Sequence, residues 1–313
     1  MISKTKIVML CASLGLGVLK VNAQENLITV ASKTNKERGV EINYEKNVPG
    51  TYTLILKFNT LNNSSGAKEK SYTLKSSSGS LVTLSPINKE QNIEYSFNYS
   101  YIKGKLNPKY NSNFSYILPY KNGTKTQIAE VGFIGEAYFG GTTAEDWKVY
   151  RFYTKQADSI AAVRKGIVVE VRDLYEPEAS AGLTYSDKIN ELTIEHADGT
   201  LATYRGFKKG SFVVRQGQTV FPGTTLGLNT KETGSDLFGV NLLITYLKSV
   251  DFEGMKNRSI QSSKSFYGFV APHFYTVGNA DTVLTAQQEY VVADTPEIRT
   301  QEFTKKELKQ LIR

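Results

Sequence analysis

Two histidines, His196 and His273, and one cysteine, Cys11, are the whole supply of imidazole and thiol in a chain of 313 residues. A catalytic zinc takes three protein ligands and keeps one position for water, and a further group must move protons on that water. His196 lies in Thr193-Ile194-Glu195-His196-Ala197-Asp198-Gly199-Thr200, a strand running into a polar turn, and reads as a hydrogen-bonded turn residue. His273 follows Ala271-Pro272 and reads as a surface or packing residue. Neither has a recognisable serine nucleophile context, and the chain holds no G-x-S-x-G, Walker loop, H-E-x-x-H or C-x-x-C. Glu176 and Glu178 form a carboxylate pair, but residues 173–188 (DLYEPEASAGLTYSDK) are acidic and rich in loop formers, so both read as solvated. That loop either roofs a groove or is idle surface. A biotinyl or lipoyl carrier needs a lysine at a hairpin tip, and Lys208-Lys209 lacks the flanking pattern.

The elements that must position such residues are strands. Hydrophobic content of 40% and charge of 22% suit a globular fold, and the length allows two domains. Residues 1–23 differ: Lys4 and Lys6 precede an apolar run from Ile7 to Leu19, and Val21-Asn22-Ala23 closes it. This predicts a secretory signal peptide cut after Ala23, so the chain is expected in the periplasm or at the cell surface. Cys11 falls inside that peptide, which leaves the mature protein without disulfides or thiolate ligands. Loss of Lys4, Lys6 and Lys20 lowers the formal charge from +8 to +5. That surplus suits an anionic cell wall or an ordinary basic surface; no nucleic-acid motif accompanies it, and no later stretch reaches the 18 apolar residues of a membrane span.

From residue 24 to about 130 the pattern predicts an Ig-like β-sandwich. Tyr52, Leu54, Leu56 and Phe58 form an apolar face with a period of two, and Ile93, Tyr95, Phe97, Tyr99 and Tyr101 repeat it. Those tyrosines fill and edge a sandwich, or alternatively stack on glycans. Asn122-Gly123 predicts a hairpin turn. Further strands are expected at 166–171, 190–195, 201–204, 267–270, 274–277 and 290–292. A charged helix follows near 305–313, with Leu308, Leu311 and Ile312 as its docking edge.

The stretch Gly210–Leu228, GSFVVRQGQTVFPGTTLGL, reads as two short strands punctuated by Gly210, Gly217, Gly223 and Gly227, with Val213, Val220 and Leu226 inward. It resembles the V-x-x-G-x-x-V-x-x-G-x-x-I-G signature of barrel-sandwich hybrid domains, a group that includes biotinyl carriers and the LytM/lysostaphin-like zinc endopeptidases of peptidase family M-twenty-three. The flanks resemble the latter over roughly residues 145–247. Residues 160–168 (IAAVRKGIV) look like that family's P-V-x-A-x-x-x-G-x-V, and residues 193–200 look like its V-I-D-H-G-D-G. Ungapped counting then places Trp147 and Arg151 at the first histidine and aspartate zinc ligands. The family's Y-A-H-L falls on Tyr204-Arg205-Gly206-Phe207 and its H-L-H-F-E-V on residues 239–244. Gly206 and Gly239 thus stand at catalytic histidines, and Asn241 at the last zinc ligand.

What the resemblance implies is a degenerate member: an all-β chain with an Ig-like sandwich at 24–130, a LytM-like barrel-sandwich hybrid at 131–250, and a β extension with a short helix at 251–313. All five chemical positions are substituted. A guanidinium repels a dication at close range by several kcal/mol at intermediate dielectric, and a neutral amide is a poor zinc ligand, so neither cofactor nor metal is expected. The groove would then bind through Arg151, Tyr204, Arg205 and Asn241, with Arg151 pairing a stem-peptide carboxylate or plugging the empty metal corner with a salt bridge. Family partners would be peptidoglycan or a wall-cleaving amidase. Two other readings stay open: an active zinc endopeptidase with its ligands elsewhere, and a glycan-binding or scaffold protein acting through the sandwich.

Overall fold

A computed structural model describes residues 27–132, 146–176, 188–251 and 266–311. The expected signal peptide, with Cys11, lies outside them, as do Glu178 and most of the loop at 173–188.

Six strands open the described chain: β1 (Ile28–Thr34), β2 (Val40–Lys46), β3 (Tyr52–Asn62), β4 (Glu69–Leu74), β5 (Ser78–Leu84) and β6 (Glu94–Lys103). They form two three-stranded sheets, β1-β2-β5 and β4-β3-β6, around one shared core. Alternation decides which side chains enter it: Tyr52, Leu54, Leu56 and Phe58 are all buried, facing Ile28, Ile42 and Leu84. The tyrosines of β6 close the sandwich edge. Tyr95 Oη donates to Ser32 Oγ and Tyr99 Oη to the Ile28 carbonyl, while Phe97 packs edge-on against Phe58.

The remaining strands build a second core. In chain order they are β7 (Ser115–Ile117), β8 (Lys125–Glu130), β9 (Tyr150–Thr154), β10 (Ser159–Ala161), β11 (Gly166–Arg172), β12 (Glu191–Glu195) and β13 (Leu201–Arg205), then β14 (Thr219–Val220), β15 (Thr225–Leu228), β16 (Thr230–Lys231) and β17 (Phe238–Leu247). After them come β18 (Tyr267–Phe269), β19 (His273–Thr276), β20 (Asn279–Thr282) and β21 (Glu289–Val291). The main sheet runs β14-β11-β12-β13-β17-β9-β8-β21, and β17 also pairs with β16 and β18. The expected boundary at residue 130 falls inside this sheet, because β8 pairs with β9. Strands beyond 250 join it through β18 and β21, and β19 adds Phe274 to its core. Asn122-Gly123 does turn the chain, with Gly123 at φ +84°. The strands it joins, β7 and β8, pair with β19 and β9 and not with each other.

The glycine-punctuated stretch is less regular than its pattern suggests. Gly210, Gly217 and Gly223 have positive φ, but Gly227 does not; a Cβ there would lie 2.9 Å from the Phe207 ring, so closeness explains it. Val220 and Leu226 are buried. Val213 is 65% exposed and Val214 takes the inward place, because residues 211–218 form no strand and do not alternate.

Two short helices end the described chain, α1 (Pro296–Thr300) and α2 (Lys305–Leu311). They dock through charge, one ring contact and one aliphatic side chain: Glu302 and Glu307 bind Arg164 and Lys165, Phe303 packs on Phe221, and Ile298 packs against the second core. Of the expected apolar edge, Leu308 is exposed, and the side chains of Leu311 and Ile312 lie outside the described residues.

The sandwich seats on one end of the main sheet. Thr51 N donates to Glu195 Oε2 at 2.6 Å, Lys103 pairs with Glu170, and the Asn107 amide donates to the Leu247 carbonyl at 2.8 Å. Gly50 permits this fit: its φ is +85°, and a Cβ would lie 2.5 Å from Val169 Cγ1.

Candidate functional site

Alternation divides the main sheet into two faces. Tyr150, Phe152, Leu192, Ile194, Ala202, Tyr204, Val240, Leu242 and Ile244 all point into the core. Their neighbours point the other way, and the register aligns these in rows: Arg151 pairs with Asn241, Asn241 with Arg205, Arg205 with Glu191, and Glu191 with Arg172. Five adjacent strands thus carry a line of side chains at intervals of about 4.8 Å. The sandwich touches the sheet at Glu195 and Glu170, which belong to the rows above, so this line occupies the end it leaves bare.

The ions in the row are held by each other. Arg151 Nη2 lies 2.5 Å from Glu232 Oε2, and its guanidinium stands over the Tyr153 ring. Burial pushes the Glu232 carboxyl above its usual range despite the attraction of Arg151. Arg172 and Arg205 share Glu191; Arg205 Nε is 3.2 Å from Glu191 Oε2, at an angle that makes no hydrogen bond. Among the described residues only five buried side-chain polar atoms have no hydrogen-bond partner, and three belong to this row: Arg151 Nε, Asn241 Oδ1 and Arg205 Nε. Their collection on three neighbouring strands makes the row the candidate site.

Gly239 makes room for the Arg151–Glu232 contact, since a Cβ there would lie 2.6 Å from Glu232 Oε1. Gly206, at φ +107°, would bring a Cβ within 3.1 Å of the Gly239 carbonyl. Four sequence-expected positions, Arg151, Gly206, Gly239 and Asn241, therefore converge, with Arg205 between them. Trp147 does not join them: Nε1 donates to the Val131 carbonyl and the indole packs on Phe269, which pairs with Thr245 four residues along β17 from Asn241. Tyr204, expected in the groove, is in the core, and its hydroxyl accepts from the Val163 amide at 2.8 Å. Adjacent strand residues face opposite ways, so Arg205 and Tyr204 cannot share a groove.

The donor set does not fit zinc. The corner offers a guanidinium, an amide and two glycines, and its carboxylates, Glu191 and Glu232, already neutralise arginines. Among the described residues no three of His, Cys, Asp and Glu are grouped to hold a metal. His196 is committed elsewhere. Thr200 Oγ1 donates to Asp198 Oδ1, so it must accept from His196 Nδ1–H, 3.0 Å away. Burial, with Arg164 nearby, pushes that imidazole down to about 3 and keeps it neutral. His273 Nδ1 is 2.7 Å from Asp281 on the β19–β20 hairpin.

A second polar cluster lies between the sandwich, the β11–β12 edge and the C-terminal segment, around a cleft of about 540 Å³. Its centre is Arg164, buried and bidentate to Glu302, bonded to Asp198 Oδ2 at 2.7 Å and stacked 3.7 Å from the Phe114 ring centre. Every described carboxylate lining this cleft has a donor from the chain: Glu195 from Thr51, Asp198 and Glu302 from Arg164, and Glu307 from Lys165. The cluster ties the chain together. Sequence reading missed Glu232, Glu191, Arg172 and Arg164 as partners; period-two alternation puts Glu191 and Arg172 on the polar faces of their strands, but nothing local signals Glu232 or Glu302.

No family model matches the sequence, and no curated protein matches it. Solved structures similar to the chain include the SpoIIQ–SpoIIIAH pore-forming complex, at 15% identity and TM-score 0.27, over 47% of this chain and 99% of that one. A putative peptidase M23 from Pseudomonas aeruginosa is similar at 12% identity and TM-score 0.26, over 67% and 90%. Csd3 of Helicobacter pylori is similar at 11% identity and TM-score 0.27, over 91% and 77%. TM-scores this far below 0.5 assign neither fold nor function.

Proposed function

We propose that the chain is a non-catalytic, LytM-like protein of the cell envelope that binds peptidoglycan, or a hydrolase working on it, through the end of its main sheet away from the sandwich. The observation that carries this reading is the row Arg151–Asn241–Arg205: Arg151 and Asn241, at two positions that resemble zinc ligands, pair across neighbouring strands, and they and the adjoining Arg205 bear groups that bind organic anions or amides instead of a metal. Arginine presents a fixed fork of donors suited to carboxylates, and export to the envelope would put the chain beside peptides that carry them. The sandwich supports by docking, its tyrosines being occupied by contacts across its own edge.

The test is co-sedimentation of the mature chain with purified sacculi, together with an assay for released wall peptides in the presence of zinc. The reading expects pelleting without peptide release, and loss of pelleting in Arg151→Glu and Arg205→Glu. Peptide release that a chelator abolishes would replace it with the zinc endopeptidase reading. Pelleting unaffected by either substitution would move binding to the sandwich.

A further inference from the structure

The row's charges do not balance, and the imbalance sits at one end. Arg151 is matched by Glu232, 16% exposed, across a 2.5 Å contact. Arg172 and Arg205, both 33% exposed, share the single carboxylate of Glu191. Neighbouring acids are engaged elsewhere: Glu170 with Lys103, Glu176 with Lys209, and Asp173 with the Gly210 amide. Among the described residues the row with Glu232 therefore holds three guanidiniums against two carboxylates, with the shared carboxylate at the Arg172–Arg205 end. There the row carries a donor, an acceptor and a donor that make no hydrogen bond among the described residues, Arg205 Nε, Asn241 Oδ1 and Arg151 Nε, on three successive strands.

We infer that this end of the sheet binds a ligand bearing one carboxylate beside an amide, such as the free C-terminus of a short peptide, and that Glu232 restricts it to one. The carboxylate meets Arg205 and Arg172. The adjoining peptide N–H donates to Asn241 Oδ1, and a peptide carbonyl further along accepts from Arg151 Nε. The side chains of Arg151 and Arg205 are each about a third exposed, and a turn about their torsions brings the buried Nε to the ligand. A second carboxylate on the ligand would fall at the Arg151 end, where Glu232 already stands, and would be repelled. Gly239 holds this rule in place, because any side chain there would drive Glu232 off Arg151. The inference rests on the row being the binding surface proposed above but does not require the wall as its source.

Calorimetric titration of the full mature chain tests it with three probes: N-acetyl-alanyl-alanine, its C-terminal amide, and N-acetyl-alanyl-glutamate. Losing one charge-assisted bond weakens binding about tenfold or more, so the free acid should bind at least that much tighter than its amide. Arg205→Gln should abolish the difference, with its melting curve confirming the fold. Should that variant not fold, Asn241→Asp serves, since a carboxylate mid-row should repel the free acid and spare the amide. Glu232→Gln, nearly isosteric, should turn the preference from the alanyl to the glutamyl peptide. Equal binding of acid and amide, no binding of any probe, or an unchanged preference in Glu232→Gln would each overturn the inference. Acid-selective binding without sacculus pelleting would sink the wall reading alone; pelleting without acid selectivity would sink the inference alone.

Discussion

Replacing Gly239 with alanine isolates the contact between Arg151 and Glu232. The backbone at 239 is not left-handed, so alanine is tolerated there, but its Cβ would sit 2.6 Å from Glu232 Oε1 and 3.3 Å from Tyr153 Cδ1. Ordinary carbon contacts are about 3.5–4 Å, so the flexible glutamate must leave Arg151 for solvent. Two effects then oppose. The attraction to Arg151 is lost, while the carboxylate regains the hydration whose loss now raises its pKa. Alanine adds about 0.4–1 kcal/mol by restricting the unfolded chain. The net change should therefore stay within about 1 kcal/mol of zero. Arg151→Met is different: with Gly239 in place it strands a carboxylate 16% exposed, at a cost of about 1–3 kcal/mol. In the Gly239→Ala background that carboxylate has already gone, so Arg151→Met should cost about 1 kcal/mol less. Urea unfolding of the four proteins at pH 7 measures this as midpoint shifts at constant slope. The coupling should fade on acidification as Glu232 protonates, beginning above the usual glutamate pKa of about 4.3. Effects that add within about 0.3–0.5 kcal/mol would refute the steric role of Gly239.

Arg164→Met should destabilise by about 3–5 kcal/mol, because it leaves Asp198 and Glu302 facing each other half-buried; a loss under 1 kcal/mol in the same unfolding assay would count against that network. Gly50→Ala should cost about 2–4 kcal/mol, from a left-handed φ and a 2.5 Å clash with Val169, and should expose the sandwich–sheet junction to protease; an intact digestion pattern would speak against tight seating. Lys165 and the Thr304 donors hold the Glu307 carboxyl down to about 2. Its folded value is depressed, so its contribution is complete above about 4.3 and is lost as pH falls towards 2. Amide exchange in α2 should accelerate over that window, and exchange independent of pH-corrected chemistry would contradict the role. Tyr204→Phe should cost about 1–3 kcal/mol by orphaning the Val163 amide and leave ligand binding unchanged; a binding defect in a folded variant would return Tyr204 to the groove.

Where hydrophobic period alone decides, the sequence was a sufficient guide. The alternation in Tyr52–Phe58 and in Glu191–Glu195 specifies both the strand and its buried face, since a one-residue slip would turn every apolar group to the solvent. The same rule separates Tyr204 from Arg205, and grouping both in one groove set that rule aside. Val213 and Val214 show its limit, because an irregular backbone has no alternating faces to read. Strand partnership was hidden for another reason. β8 looks like one more strand of the sandwich, and only its pairing with β9 and β21 places it in the main sheet. Arg164 meets Glu302 across 138 residues of chain, and no local pattern carries such a contact. At the candidate site Arg151, Gly206, Gly239 and Asn241 were read from the sequence, while Glu191 and Arg172, the neighbours of Arg205, needed the register, and Glu232 needed its contact with Arg151.

The central claim is that the corner formed by Arg151, Asn241 and Arg205 receives an organic anion and not a metal ion. Its most direct measurement is the metal content of the chain after equilibration with zinc and removal of the free ion, for the wild type and Asn241→Ala. The account predicts no stoichiometric zinc in either protein. One zinc per chain in the wild type, lost in Asn241→Ala, would contradict it.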